Sequence, residues 1–231
     1  MRANFLCITL LLAPAALAEG ELERGVEVWN TGDRTAAIAL LEKAAELRPK
    51  SDLVQLHLAH AYSNTPGQGK LAVSIYESIL SRDPANLTAR WNLAILTLNT
   101  AGSIERCREL SSAEPGNKNA HYLVEVMAWA LSYNDPRNNS KLIEEGLAAA
   151  KRALEIDAGF SEALIYQNLL LRSTARAAET EEEKKVLFAE ANKVLMKAKT
   201  LKPSLPVKPA MLSADTLPPR LPIPPPPAPA R

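Results

Sequence analysis

ELERGVEVWNTGDRTAAIALLEKAAELRP, residues 21 to 49, is the stretch on which the fold turns. Gly25 lies on a first amphipathic helix, Ala37, Leu41 and Ala44 lie on a second, and Gly32 with Asp33 supplies the turn between them. Pro49 closes the pair. A hairpin with small residues where its helices meet predicts a stacked, partner-binding scaffold rather than an enzyme.

The same logic returns along the chain. Pro49, Pro84 and Pro115, in ELRPKS, SRDPAN and AEPGN, recur 35 and then 31 residues apart, each ending one amphipathic helix just before the next. EIDAGF around Ala158 and TLKPSL at Pro203 repeat the phrase. Upstream of the closures stand Ala72, Tyr76 and Ile79, then Ser103, Cys107 and Leu110, and finally Ala191, Leu195 and Ala198.

On these residues the chain resembles the tetratricopeptide-repeat family, whose units of roughly 34 residues alternate two antiparallel helices. The match is closest over residues 21 to about 115 and continues to Pro203 in stretched units. In the second unit Leu58, Ala59 and Tyr62 take the family's large, small and aromatic places. The third keeps Leu93 and Ala94 but loses residues between its helices, which predicts a short second helix. The resemblance implies an all-α, right-handed solenoid of about five helical hairpins over residues 19–203.

Beyond Pro115, Asn119–Tyr133 reads as one helix with apolar residues nearly all round, followed by the linker NDPRNNS. Leu142–Ile156 forms the next helix. SEALIYQNLLLRSTARAAE and EEEKKVLFAEANKVLMKAKTLKP pair as the last two, long enough to overhang the stack. This half resembles bacterial exported tetratricopeptide proteins in which an EEGL…KALEID segment leads into an A-x-x-Y-x-NLL-x-R helix. The matching residues are Glu144, Glu145, Gly146 and Leu147, then Ala163, Tyr166, Asn168, Leu169, Leu170 and Arg172. Ala158 departs from the pattern by standing where the closing proline is usual.

The two ends have different compositions. Arg2, the apolar run Phe5–Leu12, the helix breaker Pro14 and Ala16-Leu17-Ala18 read as a signal peptide over residues 1–18, cleaved after Ala18. The run is shorter than the roughly 20 residues that span a bilayer, so export to the periplasm or beyond is expected, with no integral membrane segment afterwards. Cys7 lies inside the apolar run, without the small residues that precede a lipid-modified cysteine. Cys107 is then alone and reads as a small buried hydrophobe. At the other end, residues 204–231 hold prolines too dense for a helix and read as a disordered, polyproline-II-rich tail, a spacer, a recognition segment or an end without a role.

Composition excludes further classes. The 231 residues carry a formal net charge of +1 and 5% aromatics. No Lys/Arg-rich block tracks a polyanion, so nucleic acid is not expected as a partner. His57 and His60 share a helix face, but no carboxylate or thiolate stands near them to approach the roughly four ligands of a structural metal site. Neither they nor His121 is assigned a metal, and no cofactor or catalytic residue is assigned. NTPGQGK lacks both the hydroxyl residue after Lys70 and the preceding strand of a phosphate loop. Glu179–Glu183 reads as an acidic helix start.

What remains is surface shape. In the resembled family the first helix of each unit lines a concave face that contacts the ligand. Aligning on the small residues places Leu22, Val26 and Trp29 there, then Leu56 and His60, then Trp91 and Ile95. These are the expected partner-binding residues of an apolar groove suited to a peptide or partner helix; a tryptophan at this spacing serves equally well as core. Val26, Trp91 and Ile95 stand where a clamp for a peptide's terminal carboxylate would need basic groups. Asn30, Asn64 and Asn99 read as helix-end residues. The function expected is a non-catalytic protein- or peptide-binding scaffold of the bacterial cell envelope. One alternative is an adaptor in a larger envelope machine, tethered by its tail. Another is a metal-binding or enzymatic helical protein using His57, His60 and glutamates from neighbouring helices.

Overall fold

The computed structural model describes residues 5–98 and 100–201, with side chains from residue 15 onward. Asn99, Pro203, the segment 204–231, Arg2 and the side chains of the apolar run, Cys7 included, lie outside the described residues. Among the described residues there are ten α-helices and no strand. They form two compact units, the first ending at Thr97 and the second starting at Leu98.

In the N-terminal unit α1 (Phe5–Thr31) packs on α2 (Arg34–Leu47), α2 on α3 (Asp52–Ser63), α3 on α4 (Gly69–Arg82) and α4 on α5 (Leu87–Leu96), while α3 also touches α5. The α1–α2 turn forms as its residues dictate. Gly32 takes a left-handed φ of 98°, and Asp33 Oδ1 accepts the Ala36 N–H at 3.0 Å to cap α2. Gly25 lets the helices close: a Cβ there would meet Leu41 Cγ and Cδ2 at 3.0 Å. Ala37, Leu41 and Ala44 are buried, as are Leu58, Ala59 and Tyr62 on α3 and Ala72, Tyr76 and Ile79 on α4. α1 differs from expectation by running through Pro14 without ending. A proline removes one helical hydrogen bond, and the Leu- and Ala-rich sequence on both sides favours helix strongly enough to continue past it.

The hairpin closures share one backbone design. Arg48, Asp83, Glu114 and Asp157 each donate their N–H to the carbonyl four residues back, on Ala44, Ile79, Leu110 and Ala153. The carbonyls of Arg48, Asp83, Glu114 and Asp157 themselves then accept the N–H of the residue three further on, Ser51, Asn86, Asn117 and Phe160, at 2.9–3.1 Å. Proline follows the first three and Ala158 the fourth. The turn is therefore made by its hydrogen bonds, and proline only pre-sets a φ that alanine also adopts.

In the C-terminal unit α6 (Ser103–Ala113) packs on α7 (Lys118–Ser132), α7 on α8 (Ser140–Ile156), α8 on α9 (Ser161–Ala177) and α9 on α10 (Glu181–Thr200). α7 also reaches α9 and is buried on nearly every side, from Ala120 through Trp129. Ser103, Cys107 and Leu110 are buried on α6. Burial pushes the Cys107 thiol up to about 12, which leaves it a packing residue.

The EEGL and NLL-x-R residues tie this unit together. Glu145 receives two hydrogen bonds from Arg108, Nε to Oε1 at 2.7 Å and Nη2 to Oε2 at 2.6 Å, joining α8 to α6. A Cβ on Gly146 would meet Ala128 Cβ at 2.7 Å and Leu170 Cδ1 at 2.9 Å, so only glycine fits where α7, α8 and α9 converge. Asn168 donates to the Ala191 carbonyl and Arg172 to Asn192 Oδ1, fastening α9 to α10. α10 buries only Ala191 and Ala198, leaving Val186 and Met196 exposed. Its acidic start is capped by Thr180, which accepts the Glu183 N–H at 3.2 Å.

Candidate functional site

The first helices α1, α3 and α5 of the N-terminal unit are in register. Gly25, Ala59 and Ala94 stand 34 and then 35 residues apart, as do Leu22, Leu56 and Trp91, and again Val26, His60 and Ile95. Six of the seven residues read as partner-binding thus occupy two equivalent positions on three helices, and Trp29 lies one turn beyond Val26. Val26, Leu56 and Ile95 are half-buried. Leu22, Trp29, His60 and Trp91 are buried, so their side chains offer little free surface in this chain.

Trp29 and His60 come together. Their ring centroids are 6.1 Å apart in an edge arrangement, and the Arg34 guanidinium lies 4.5 Å from the centre of the Trp29 ring. Arg34 Nη1 donates to the Asn64 carbonyl at 3.4 Å, and Asn64 Nδ2 donates to the His60 carbonyl at 2.8 Å. The result is a small network at the ends of α1 and α3, with exposed Arg34 as its outer rim. Trp29 is placed by the Gly32-Asp33 turn, which brings Arg34 back over the ring.

The network fixes the protonation of His60. Only 2% of the residue is exposed, and its Nδ1 has no hydrogen-bond partner. Burial, then the charges of His57 and Arg34, lower its pKa to about 4, so the ring is neutral over the ordinary pH range. Burial also lowers His57. Among the described residues no group of three His, Cys, Asp or Glu side chains is gathered as a metal centre would require.

Two participants were not singled out from sequence as site residues. Arg34 looks like an ordinary charge on the first turn of α2, and only the tight Gly32-Asp33 turn hints that it folds back. Asn64 reads as a helix end, and it is the C-cap of α3. In the C-terminal unit Glu125 was passed over inside an apolar run. The available signal was the run itself, since a lone acid among AHYLV and VMAWAL has no polar face to occupy.

No protein-family profile and no curated protein matches the chain. Solved structures do, and they define its class: the chain has the tetratricopeptide-repeat fold. The matches include structures of MamA, a protein built of these repeats. MamA 41-end from Desulfovibrio magneticus RS-1 is 15% identical, with a TM-score of 0.62 over 79% of this chain and 95% of that one. Another MamA crystal structure is 17% identical, with a TM-score of 0.62 over 80% and 92%. MamA MSR-1 is 17% identical, with a TM-score of 0.58 over 78% and 98%. At these identities the likeness is one of fold. Among the described residues no helix is long and apolar enough to cross a membrane.

Proposed function

We propose that the chain is a non-catalytic protein-binding scaffold of the bacterial cell envelope, taking an apolar peptide or partner helix on the face formed by α1, α3 and α5. The observation that carries this reading is that Val26 on α1, Leu56 on α3 and Ile95 on α5 are half-buried apolar side chains, Val26 and Ile95 at one repeat position and Leu56 one turn before that position on the helix between them. An amphipathic segment laid along such a row buries apolar area at each step. The buried Trp29, His60 and Trp91 back the row and hold it rigid, while Arg34 supplies a cation at its rim for an acidic residue in the ligand.

Export is supported by Arg2, the apolar run and Ala16-Leu17-Ala18, and N-terminal sequencing of protein recovered from periplasm tests it. A chain beginning at Glu19 is expected; one retaining Met1 in the cytoplasm overturns it. Binding is tested by selecting peptides from a displayed library on the full chain. Enriched peptides should be apolar, and Leu56→Asp/Ile95→Asp should lose them, while Met196→Asp on α10 keeps them. Selection of peptides indifferent to the double variant would sink the proposed face.

A further inference from the structure

The C-terminal unit buries an acid with nothing to hold it. Glu125 is 0% exposed, and neither of its carboxyl oxygens has a hydrogen-bond partner. The hydroxyl of Tyr122, one turn earlier on α7, is also buried and unpartnered. Around them the walls are aromatic: Tyr122 packs on Phe160 and Tyr166 at 5.2 and 5.6 Å, and Trp129 packs on Tyr166 at 5.4 Å. A carboxylate offered neither a donor nor a cation by the side chains around it is strongly disfavoured in such surroundings, whereas the neutral acid is tolerated.

The geometry points to Glu125 as a proton-operated latch of the C-terminal unit: the carboxyl is protonated while α7 is packed on α6, α8 and α9, and its ionisation drives the α7–α9 contact apart. Among the described residues no neighbouring charge relieves it. α8 turns no titratable side chain inward. α6 contributes the Cys107 thiol, and its Arg106 keeps a buried Nη1 unpartnered without forming an ion pair with Glu125. α9 contributes Tyr166, and the nearby Glu162 adds negative charge at Tyr122. Burial alone raises the Glu125 carboxyl well above the usual range, in agreement with the geometry.

The sign follows from linkage. Above the ordinary carboxylate range the unfolded chain has lost this proton and the folded unit has kept it. Each pH unit then shifts the equilibrium toward the open state by up to about tenfold, until the folded group itself ionises. Hydrogen exchange read by mass spectrometry on α7 and α9 peptides of the full chain, between pH 6 and 8 and corrected for intrinsic rates, isolates this unit. That window lies below the thiol range; His57 and His60 are in the other unit, and His121 on α7 is common to wild type and both variants, so it cancels when their slopes are compared. Wild-type protection should fall up to about tenfold per pH unit, while in Glu125→Gln and Glu125→Met it stays level. Equal slopes in all three overturn the latch. If neither variant folds, wild-type protein decides: unfolding at pH 7.5 in buffers of unlike ionisation enthalpy should show release of about one proton per chain, and no release or an uptake overturns the proposal.

Discussion

Gly25 in the N-terminal unit and Gly146 in the C-terminal unit both stand where helices cross closely, yet their surroundings differ. A methyl at position 25 meets the flexible end of Leu41 at 3.0 Å, whereas one at position 146 meets the fixed Cβ of Ala128 at 2.7 Å and Leu170 beyond it. The buried titratable groups differ as well. The first unit encloses a base, His60, and the second an acid, Glu125, each without compensating charge. One repeat architecture therefore yields an adjustable unit that tolerates alkali and a tightly keyed unit that tolerates acid.

The largest expected effect separates the two by pH. His60 is held neutral in the folded unit and accepts a proton near pH 6.5 when unfolded. Its contribution is complete above 6.5, is lost as pH falls from 6.5 to about 4, and is flat below that. The loss amounts to up to about 3 kcal/mol. Hydrogen exchange of α1–α3 peptides should accelerate over that window in wild type and much less in His60→Leu. If wild type and His60→Leu lose protection equally, the base is not what sets the acid limit.

Next comes the glycine pair. Gly146→Ala should lower the urea midpoint by the equivalent of about 2 kcal/mol, since overpacking against fixed atoms outweighs the helix propensity gained. Gly25→Ala should stay within about 1 kcal/mol of wild type because Leu41 can rotate aside. Equal costs would erase the contrast between units. Smaller still is the Arg108–Glu145 pair, whose side chains remain 43% and 33% exposed. Glu145→Ala should cost about 1 kcal/mol, and added salt should shrink the difference. Last, Ala158→Pro should stabilise by roughly 0.5 kcal/mol in thermal unfolding. Asp157 before it is already extended, and the Ala158 N–H takes no part in the turn's hydrogen bonds.

The helices and their closures were legible because each rests on local rules: small residues at crossings, Gly32 and Asp33 at a turn, a capping Thr180 before an acidic first turn. The register of Leu22, Leu56 and Trp91 was legible for the same reason, since the small residues Gly25, Ala59 and Ala94 fix it. What sequence left open was which of those side chains face outward. A tryptophan such as Trp29 has the same helical spacing whether it anchors a ligand or fills a core, and only the fold shows it beneath Arg34 and beside His60. Glu125 escaped because periodicity weighs a residue by its neighbours, and the ten apolar residues of AHYLV and VMAWAL outvote one acid. Ala158 was read as a departure, yet its turn is bonded like the others, because a turn that needs no positive φ accepts most residues.

The edge contact between Trp29 and His60 has an optical consequence. Indole fluorescence is quenched when a neighbouring imidazole becomes cationic, and His60 lies 6.1 Å away with its ring neutral. Acidification that protonates His60 should therefore dim Trp29 before the helices melt. The N-terminal unit carries its own emission gauge for the state of the surface it is proposed to offer a ligand, and a single-tryptophan version of the chain could be followed in real time without an attached dye.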